Sequence, residues 1–257
     1  MYRVLFDEIP PDLRIELAYA GTSHCMVATE EGIGSVMTLP PSGPAAILPE
    51  KLEGLPLRAV AEAVLSWNAT DAALGAAALN AYYNSPRLLQ KNFGYADKEA
   101  DASADPFVRY AEWARDKKVA SIGHFASVER HIAPVAASLY IIEEHPQEGD
   151  YPAAAAEFLL PKMDMVFITG STLANKTLPR LLELSRHAFV VLVGPSTCMA
   201  PQLFSYGVSV LSGSLYTDRE TCLSLVRQGL HGKMVHQGQK LSFEAFQNSV
   251  SFEKGVG

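Results

Sequence analysis

Two stretches of the chain join an apolar run to glycine and hydroxyl residues, a combination suited to binding a polar small molecule. Residues 166–177 contain Thr169-Gly-Ser-Thr172, and residues 189–197 end in Gly194-Pro-Ser-Thr197. Glycine lets a chain turn sharply, and the amides and hydroxyls that follow can hydrogen-bond a ligand. Two such units in succession predict neighbouring parallel strands with polar loops at their carboxyl ends, which is where ligands bind in open α/β sheets.

Two residues at that edge are candidates for proton transfer. His124 follows Gly123 at the end of an earlier apolar segment, and imidazole titrates near neutral pH, so His124 can serve as a general acid or base. Glu143 ends the next apolar segment, where an acid can also accept hydrogen bonds from ribose hydroxyls. The alternatives, a loop histidine near solvent and a solvated strand end, stay open.

The first stretch is one residue away from the phosphate-loop pattern G-x-x-x-x-G-K-[ST]. Asn175 stands where that pattern has its second glycine. No later strand ends in the aspartate that helps to hold Mg²⁺ in such enzymes. Pro179 also requires its helix to begin close by, which favours Asn175 or Thr177 as the cap. Nucleoside triphosphate hydrolysis is therefore disfavoured.

Two other classes of site are disfavoured by residue spacing. Gly123 is followed by His-Phe-Ala-Ser-Val, so the G-x-G-x-x-G fingerprint of NAD-binding domains is missing. None of the 7 histidines has the spacing of a helical metal site, and the 3 cysteines form no Cys-x-x-Cys pair. The cofactor stays unassigned; a metal ion or a metal chelate is the candidate class, and its ligands are open.

The predicted pattern of strands and helices that position these residues differs between the first and second parts of the chain. Residues 13–39 alternate as strands do, with a hairpin turn at residues 30–32, and two helices follow. The second helix, residues 71–83, is rich in small residues and places Asn80 one turn before Asn84, which predicts a contact with a ligand or with a neighbouring domain.

Residues 91–105 are polar, lack apolar periodicity and are the best domain boundary. Beyond them strands and helices alternate, which predicts a doubly wound parallel sheet. Strands are expected at residues 119–122, 138–142, 165–169, 189–193 and 208–211.

Composition narrows the classes of partner. The chain of 257 residues is 48% hydrophobic and 19% charged, as in ordinary globular proteins. Its net charge of −7 and scattered basic residues argue against nucleic acid. We find no apolar run long enough to cross a bilayer and no signal-peptide pattern at the start. The widely spaced cysteines fit a reducing compartment, so we expect a cytoplasmic protein without a membrane partner; homo-oligomerisation stays open.

Taken in order, several motifs resemble a family described as putative heavy-metal chelation. They are Asn80-Ala81, Gly123-His-Phe125, Glu143-x-x-Pro146, Thr169-Gly-Ser-Thr172 with Asn175 and Thr177, Gly194-Pro-Ser-Thr197 and Pro201-x-Leu-Phe204. The resemblance covers nearly the whole chain. It implies an enolase N-terminal-like α+β domain over residues 1–95, a Rossmann-like domain over residues 106–257, and an active site in the cleft between them.

The resemblance also implies a small-molecule role in making or handling a heavy-metal chelator, a pterin-like compound or a siderophore-like compound. We expect an enzyme that performs condensation, hydrolysis or group transfer, with proton transfer by His124 or Glu143. Two alternatives stay open: a non-catalytic binder of a metal–chelate complex, and an S-adenosylmethionine-dependent methyltransferase-like enzyme. The candidate ligand-binding residues are Asn80, Gly123, Thr169, Gly170, Ser171, Thr172, Asn175, Gly194, Pro195, Ser196 and Thr197.

Overall fold

The first part of the chain forms a three-stranded antiparallel sheet covered by a long helix. The computed structural model describes residues 1–96 and 105–245. The predicted hairpin is confirmed, because Ala28 pairs with Ile33 across its turn. The elements are α1 (Tyr2–Phe6), β1 (Leu17–Ala20), β2 (His24–Ala28), β3 (Ile33–Met37), α2 (Leu57–Ala61), α3 (Ala69–Tyr83) and α4 (Pro86–Phe93), with a 3₁₀ turn at Glu62–Leu65.

Helix α3 is buried along nearly its whole length because small residues let it approach its neighbours closely. Every residue of α3 except Thr70 is buried. The helix begins directly after Asn68, whose side chain caps it by accepting a hydrogen bond of 3.1 Å from the Asp71 backbone N–H. A Cβ on Gly34 of β3 would clash with the backbone carbonyl of Ala77 in α3. Glycine at position 34 therefore sets the distance between sheet and helix.

The second part forms a seven-stranded sheet of the predicted α/β class. Its strand order is β10-β9-β8-β7-β4-β5-β6, and every pair is parallel except β9 with β10. The chain runs outward from β4 to β6 and returns to β7 on the other side of β4, so the order reverses between β4 and β7. The strands are β4 (Lys118–Ile122), β5 (Ser138–Glu143), β6 (Tyr151–Pro152), β7 (Met165–Thr169), β8 (Phe189–Val193), β9 (Val210–Leu215) and β10 (Gln239–Glu244).

Helices and short turns fill the connections of this sheet. Both faces of the sheet are buried, as in doubly wound folds. Val166 and Ile168 pack on the side of α3, whereas Met165 and Phe167 face a separate cluster. The helices are α5 (Pro106–Arg109), α6 (Ala111–Ala114), α7 (Ala126–His131), α8 (Ala156–Leu159), α9 (Leu178–Leu184), α10 (Arg219–Arg227) and α11 (His231–Val235), and 3₁₀ turns lie at Ala153–Ala155, Leu160–Lys162, Gly170–Leu173 and Pro201–Tyr206.

The strand predicted at residues 208–211 is displaced in the structure. It begins at Val210 and continues to Leu215. Gly207 has a φ of 98° and the Val208 N–H donates to the carbonyl of Leu203, so these residues still belong to the preceding turn. The polar end of β9 is held as a strand by pairing with β10, whereas β8 pairs only with its first three residues.

Parts of the predicted domain division lie outside the described residues. Residues 97–104 belong to the predicted boundary, and residues 246–257 belong to the second predicted domain; neither segment is described. Within the described ranges, the helices are all too short or too polar to span a membrane.

Asn80 of α3 and Asn84, which directly follows this helix, connect the first part of the chain to the loop after β8. Asn80 Nδ2 donates hydrogen bonds of 3.1 Å to the carbonyls of Ser35 and Ser196. Asn84 Nδ2 donates to the Thr197 carbonyl at 2.9 Å, and Asn84 Oδ1 accepts the Met199 N–H at 2.9 Å. These buried amides satisfy backbone groups that would otherwise be desolvated without partners.

We expect Gly34→Ala to lower the free energy of unfolding by about 1–3 kcal/mol, because the new methyl group forces α3 away from β3. Gly232→Ala is the matched control: a Cβ there meets nothing within 4 Å. Alanine inside α11 should be neutral or stabilising by up to about 1 kcal/mol. Urea denaturation curves measure both, and equal stability of the two variants would contradict the packing described for Gly34.

Candidate functional site

A cavity opens at the carboxyl ends of β4, β5 and β7, where the strand order reverses. This first cavity has a volume of about 420 Å³. In open α/β sheets a ligand binds at such a reversal. One part of its wall comes from the end of β3 in the other sheet. The wall consists of Met37–Pro40, Ile122–Phe125, Ile142–His145, Ala153, Ala156, Thr169, Ser171, Thr172, Asn175, Thr177 and Leu181.

A second cavity of about 380 Å³ lies beside the first. It is lined by the ends of β8 and β9, by Lys240 of β10 and by the start of α5. His124 and Phe125 line both cavities. These two residues therefore form a partition between the two cavities.

The sharp turn at Gly123 places the partition over the sheet edge. Gly123 has a φ of 109°, which residues with a side chain rarely adopt. A Cβ at this position would lie 2.9 Å from the Phe125 ring and 3.4 Å from Thr169 Cβ. The turn brings His124 out of the sheet while the ring of Phe125 packs against the glycine.

His124 is held between two carboxylates. Its Nδ1 lies 3.0 Å from both carboxylate oxygens of Asp150, and its Nε2 lies 3.3 Å from Glu129 Oε2. The Asp150 side chain is only 3% exposed, whereas that of Glu129 is 56% exposed. The hydrogen bond to Asp150 raises the pKa of His124, burial opposes the rise, and Glu129 adds to it.

Asp150 is suited to hold this imidazole in a fixed orientation. Burial alone would raise the pKa of Asp150, but hydrogen bonds from His124 and from the Gln147 N–H bring it below its ordinary value. Sequence reasoning missed both carboxylates. Asp150 is 26 residues from His124 in the chain. It lies in a turn beside Gly149, which has a φ of 94°, and no local sequence pattern links this turn to His124.

Glu143 lies on the wall of the first cavity, and both of its oxygens have backbone partners. Oε1 accepts the His124 N–H at 2.8 Å, and Oε2 accepts the Glu144 N–H at 3.0 Å. The carboxylate thus anchors the backbone beside the imidazole. Its roles as an acid and as a ribose acceptor stay predictions.

The hydroxyl residues after β7 form a compact 3₁₀ turn rather than an extended phosphate loop. Thr169 Oγ1 lies 3.0 Å from Ser171 Oγ, and Thr172 Oγ1 donates to the Thr169 carbonyl at 2.6 Å. Lys176, the lysine of the near-match, donates to the Ala174 carbonyl at 3.1 Å and lies 5.3 Å from the centre of the Trp67 ring. Lys176 lines neither cavity.

The predicted site residues divide into three groups. Those on the first cavity are Gly123, His124, Glu143, Thr169, Ser171, Thr172 and Asn175. Those on the second are Gly194, Pro195 and again His124. Those that line neither cavity and lie buried in the contact between the two sheets are Asn80, Gly170, Ser196 and Thr197. In that contact Ser196 Oγ accepts the Met37 N–H at 2.9 Å.

The described donor groups do not fit a directly bound heavy metal. Over residues 1–96 and 105–245, no three or more His, Cys, Asp or Glu side chains are grouped so that they could hold an ion. Both nitrogens of His124 and both oxygens of Glu143 have protein partners. Burial raises the pKa of Cys198 to about 12, which keeps its thiol protonated.

Comparison with known proteins gives consistent matches. Two family models, both described as "Putative heavy-metal chelation", match residues 2–83 and 105–244. A crystal structure of a DUF364-family protein of unknown function from Desulfitobacterium hafniense is 37% identical, with a TM-score of 0.84 over 95% of this chain and 96% of that one.

Two further matches are more distant. A DUF364-family structure of unknown function from Pyrococcus horikoshii has a TM-score of 0.76 over 95% of this chain and 97% of that one; at 21% identity it shows the fold alone. An uncharacterized protein of Methanocaldococcus jannaschii is 30% identical over 166 residues, or 62% of this chain. The chain covers 60% of the length of that curated relative.

We expect Asp150→Asn to lower the pKa of His124 toward its ordinary value, because the hydrogen-bonded charge that raises it is removed. Proton NMR titration of the imidazole measures this directly. Glu148→Gln is the control, since it removes an exposed neighbouring carboxylate and should leave the titration unchanged.

The same change should affect stability in a pH-dependent way. The pKa of folded His124 is raised, so its contact with Asp150 stabilises fully below the unfolded-state pKa and less as pH rises through the folded-state pKa. Asp150→Asn should therefore be more destabilising near pH 5.5 than near pH 8.5. An equal loss of unfolding free energy at the two pH values would contradict a charged contact between His124 and Asp150.

Proposed function

The chain belongs to the family described as "Putative heavy-metal chelation", and we propose that it binds a small polar metabolite in the first cavity and that His124 exchanges a proton with it. One observation carries the proposal: His124, held by a buried carboxylate, faces a cavity at the reversal point of the sheet. A carboxylate–imidazole pair at such a place is a common arrangement for acid–base chemistry.

The surroundings of His124 suit this role. Asp150 fixes one ring nitrogen, so the imidazole keeps its orientation when the other nitrogen gains or loses a proton. The carboxylate on that other nitrogen, Glu129, is mostly exposed, and its contact is correspondingly weak. A bound ligand can take its place. A raised pKa also gives His124 more of the protonated form at neutral pH, which favours a general acid.

The remaining polar groups of the first cavity would bind and orient the ligand. Glu143 acts as a positioning residue by accepting the backbone N–H of His124. The hydroxyls of Ser171 and Thr172 and the amide of Asn175 are the groups available for polar substituents. The reaction would be condensation, hydrolysis or group transfer on a metabolite related to a metal chelator.

A second candidate function is non-catalytic binding of a metal–chelate complex. The wall of the first cavity carries Glu143 and Glu144 and, among the described residues, no lysine or arginine. This charge favours neutral or positive ligands over anions. In such a complex the organic molecule would supply the donors to the metal, which agrees with the donor groups found here.

Blocking the first cavity should abolish capture of the metabolite. Ala153 is an exposed alanine on its wall, whereas the adjacent Ala154 is exposed and lies outside it. After incubation with a metabolite extract, native mass spectrometry should find a small molecule on the wild-type protein and on Ala154→Trp, with retention at least about tenfold lower on Ala153→Trp.

Equal retention by the two tryptophan variants, or none by the wild-type protein, would contradict the proposed site. A metal retained only together with an organic molecule would favour the second candidate. A metal retained alone would contradict the statement that the described donors do not fit one.

Turnover of the captured compound separates an enzyme from a binder. His124→Gln should reduce the rate of product formation by about 10²–10⁴-fold, the usual contribution of a general acid or base. Asp150→Asn should reduce it less, and Glu148→Gln should match the wild-type enzyme. Liquid chromatography with mass detection measures the product. An undiminished rate in His124→Gln would refute proton transfer by this residue, and an unchanged compound would identify a binder.

A further inference from the structure

We propose that the second cavity is a distinct subsite for an uncharged, flat apolar group such as an aromatic ring. It lies beside the first cavity, and the two share the partition of His124 and Phe125. The inference rests on the proposed function only for the part that His124 would play between the two sites.

Much of the wall of the second cavity is apolar, and the serines Ser127, Ser212 and Ser214 add hydroxyl groups to it. Phe107 and Phe125 have ring centroids 5.3 Å apart, and Val193 ends β8 beneath them. Phe107 is 4% exposed and Val193 is 1% exposed, so both are fixed by the surrounding core. Preformed apolar walls of this kind favour the burial of a ring.

Glycine keeps the space over β8 clear. Gly194 has a φ of 99°, and a Cβ there would have only the Phe125 ring nearby, at 3.9 Å. The backbone at the end of β8 thus borders open space rather than packed side chains. A flat group can lie against the peptide plane at Gly194, which lines this cavity.

The charged side chains at the second cavity are paired. Lys240 Nζ lies 2.9 Å from Asp105 Oδ2, and the other carboxylate oxygen accepts the Phe107 N–H at 3.0 Å. Ser127 Oγ also donates to Asp105, at 3.3 Å. Lys240 and Asp105 together carry no net charge, and His124 is paired with Asp150, so the cavity should discriminate against both anions and cations in favour of a neutral group.

His124 is the one titratable residue among the described parts of the chain that lines both cavities. A ligand that spans them, or two ligands side by side, would have its junction beside the imidazole. This placement favours condensation or group transfer between two bound groups over hydrolysis of one.

Thiol reporters test the subsite without any need for turnover. Cys25, Cys198 and Cys222 are buried, so the native protein gives little background reaction. Ser127→Cys places one thiol on the wall of the second cavity with a near-isosteric change. Its reaction rates would be measured by mass spectrometry with three methanethiosulfonates: the uncharged benzyl reagent, the anionic sulfonatoethyl reagent and the cationic trimethylammonioethyl reagent.

Rates are compared with those at Ser224→Cys, an exposed serine that lines neither cavity. Relative to this control, the thiol of Ser127→Cys should prefer the benzyl reagent over both charged reagents by about tenfold, because the ring is held in the cavity before it reacts. Ser171→Cys, on the first cavity, should not share this preference for the uncharged reagent.

Two blocking variants decide where the preference arises. Adding Ala126→Trp, an exposed position on the second cavity alone, should abolish it, whereas Ala153→Trp should leave it intact. The quantity compared is the rate with the benzyl reagent divided by the rate with each charged reagent. Shielding that slows all three reagents equally therefore cancels. A ratio equal to that at Ser224→Cys, or one unaffected by Ala126→Trp, would overturn the proposal. Either result leaves the capture test of the first cavity unaffected.

Discussion

The structure depends on two buried amide side chains, one in α3 and one directly after it, that satisfy backbone groups of the loop after β8. Asn84 alone bonds two carbonyls and one N–H of that region, and Asn80 joins β3 to the same loop. Replacing such a group leaves desolvated partners, at a cost of about 1–3 kcal/mol each. These hydrogen bonds hold the end of β3 beside the carboxyl ends of the parallel strands. The first cavity therefore has a wall from each sheet.

The position of β3 beside the large sheet helps to explain why two adjoining cavities form at one edge of that sheet. The reversal between β4 and β7 opens the sheet edge, and the turn at Gly123 directs a histidine and a phenylalanine over it. The two spaces differ in character: carboxylates line the first, and aromatic rings with a neutral ion pair line the second. A division of this kind suits a protein that recognises two chemically unlike groups.

Local pattern predicted much of this arrangement, and it failed where partners are distant in sequence. Strands such as 165–169 and 189–193 were predicted because apolar runs bounded by glycine are typical of buried strands. Strand β10 was not predicted, since its polar residues are strand-like only beside β9. Asp150 was missed because only the folded chain brings it to His124. Ser196 and Thr197 belong to residue types that bind ligands and backbone equally well, and here they lie in the inter-sheet contact.

One edge of the large sheet limits how copies of the protein can meet. Strand β6 has only two residues, and the second of them, Pro152, has no N–H to donate. An edge this short cannot template the addition of a strand from another molecule, which is how many sheet proteins aggregate. Growth of fibrous assemblies through this side of the sheet is therefore disfavoured. The neighbouring loop that contains Asp150 would not be displaced by an added strand.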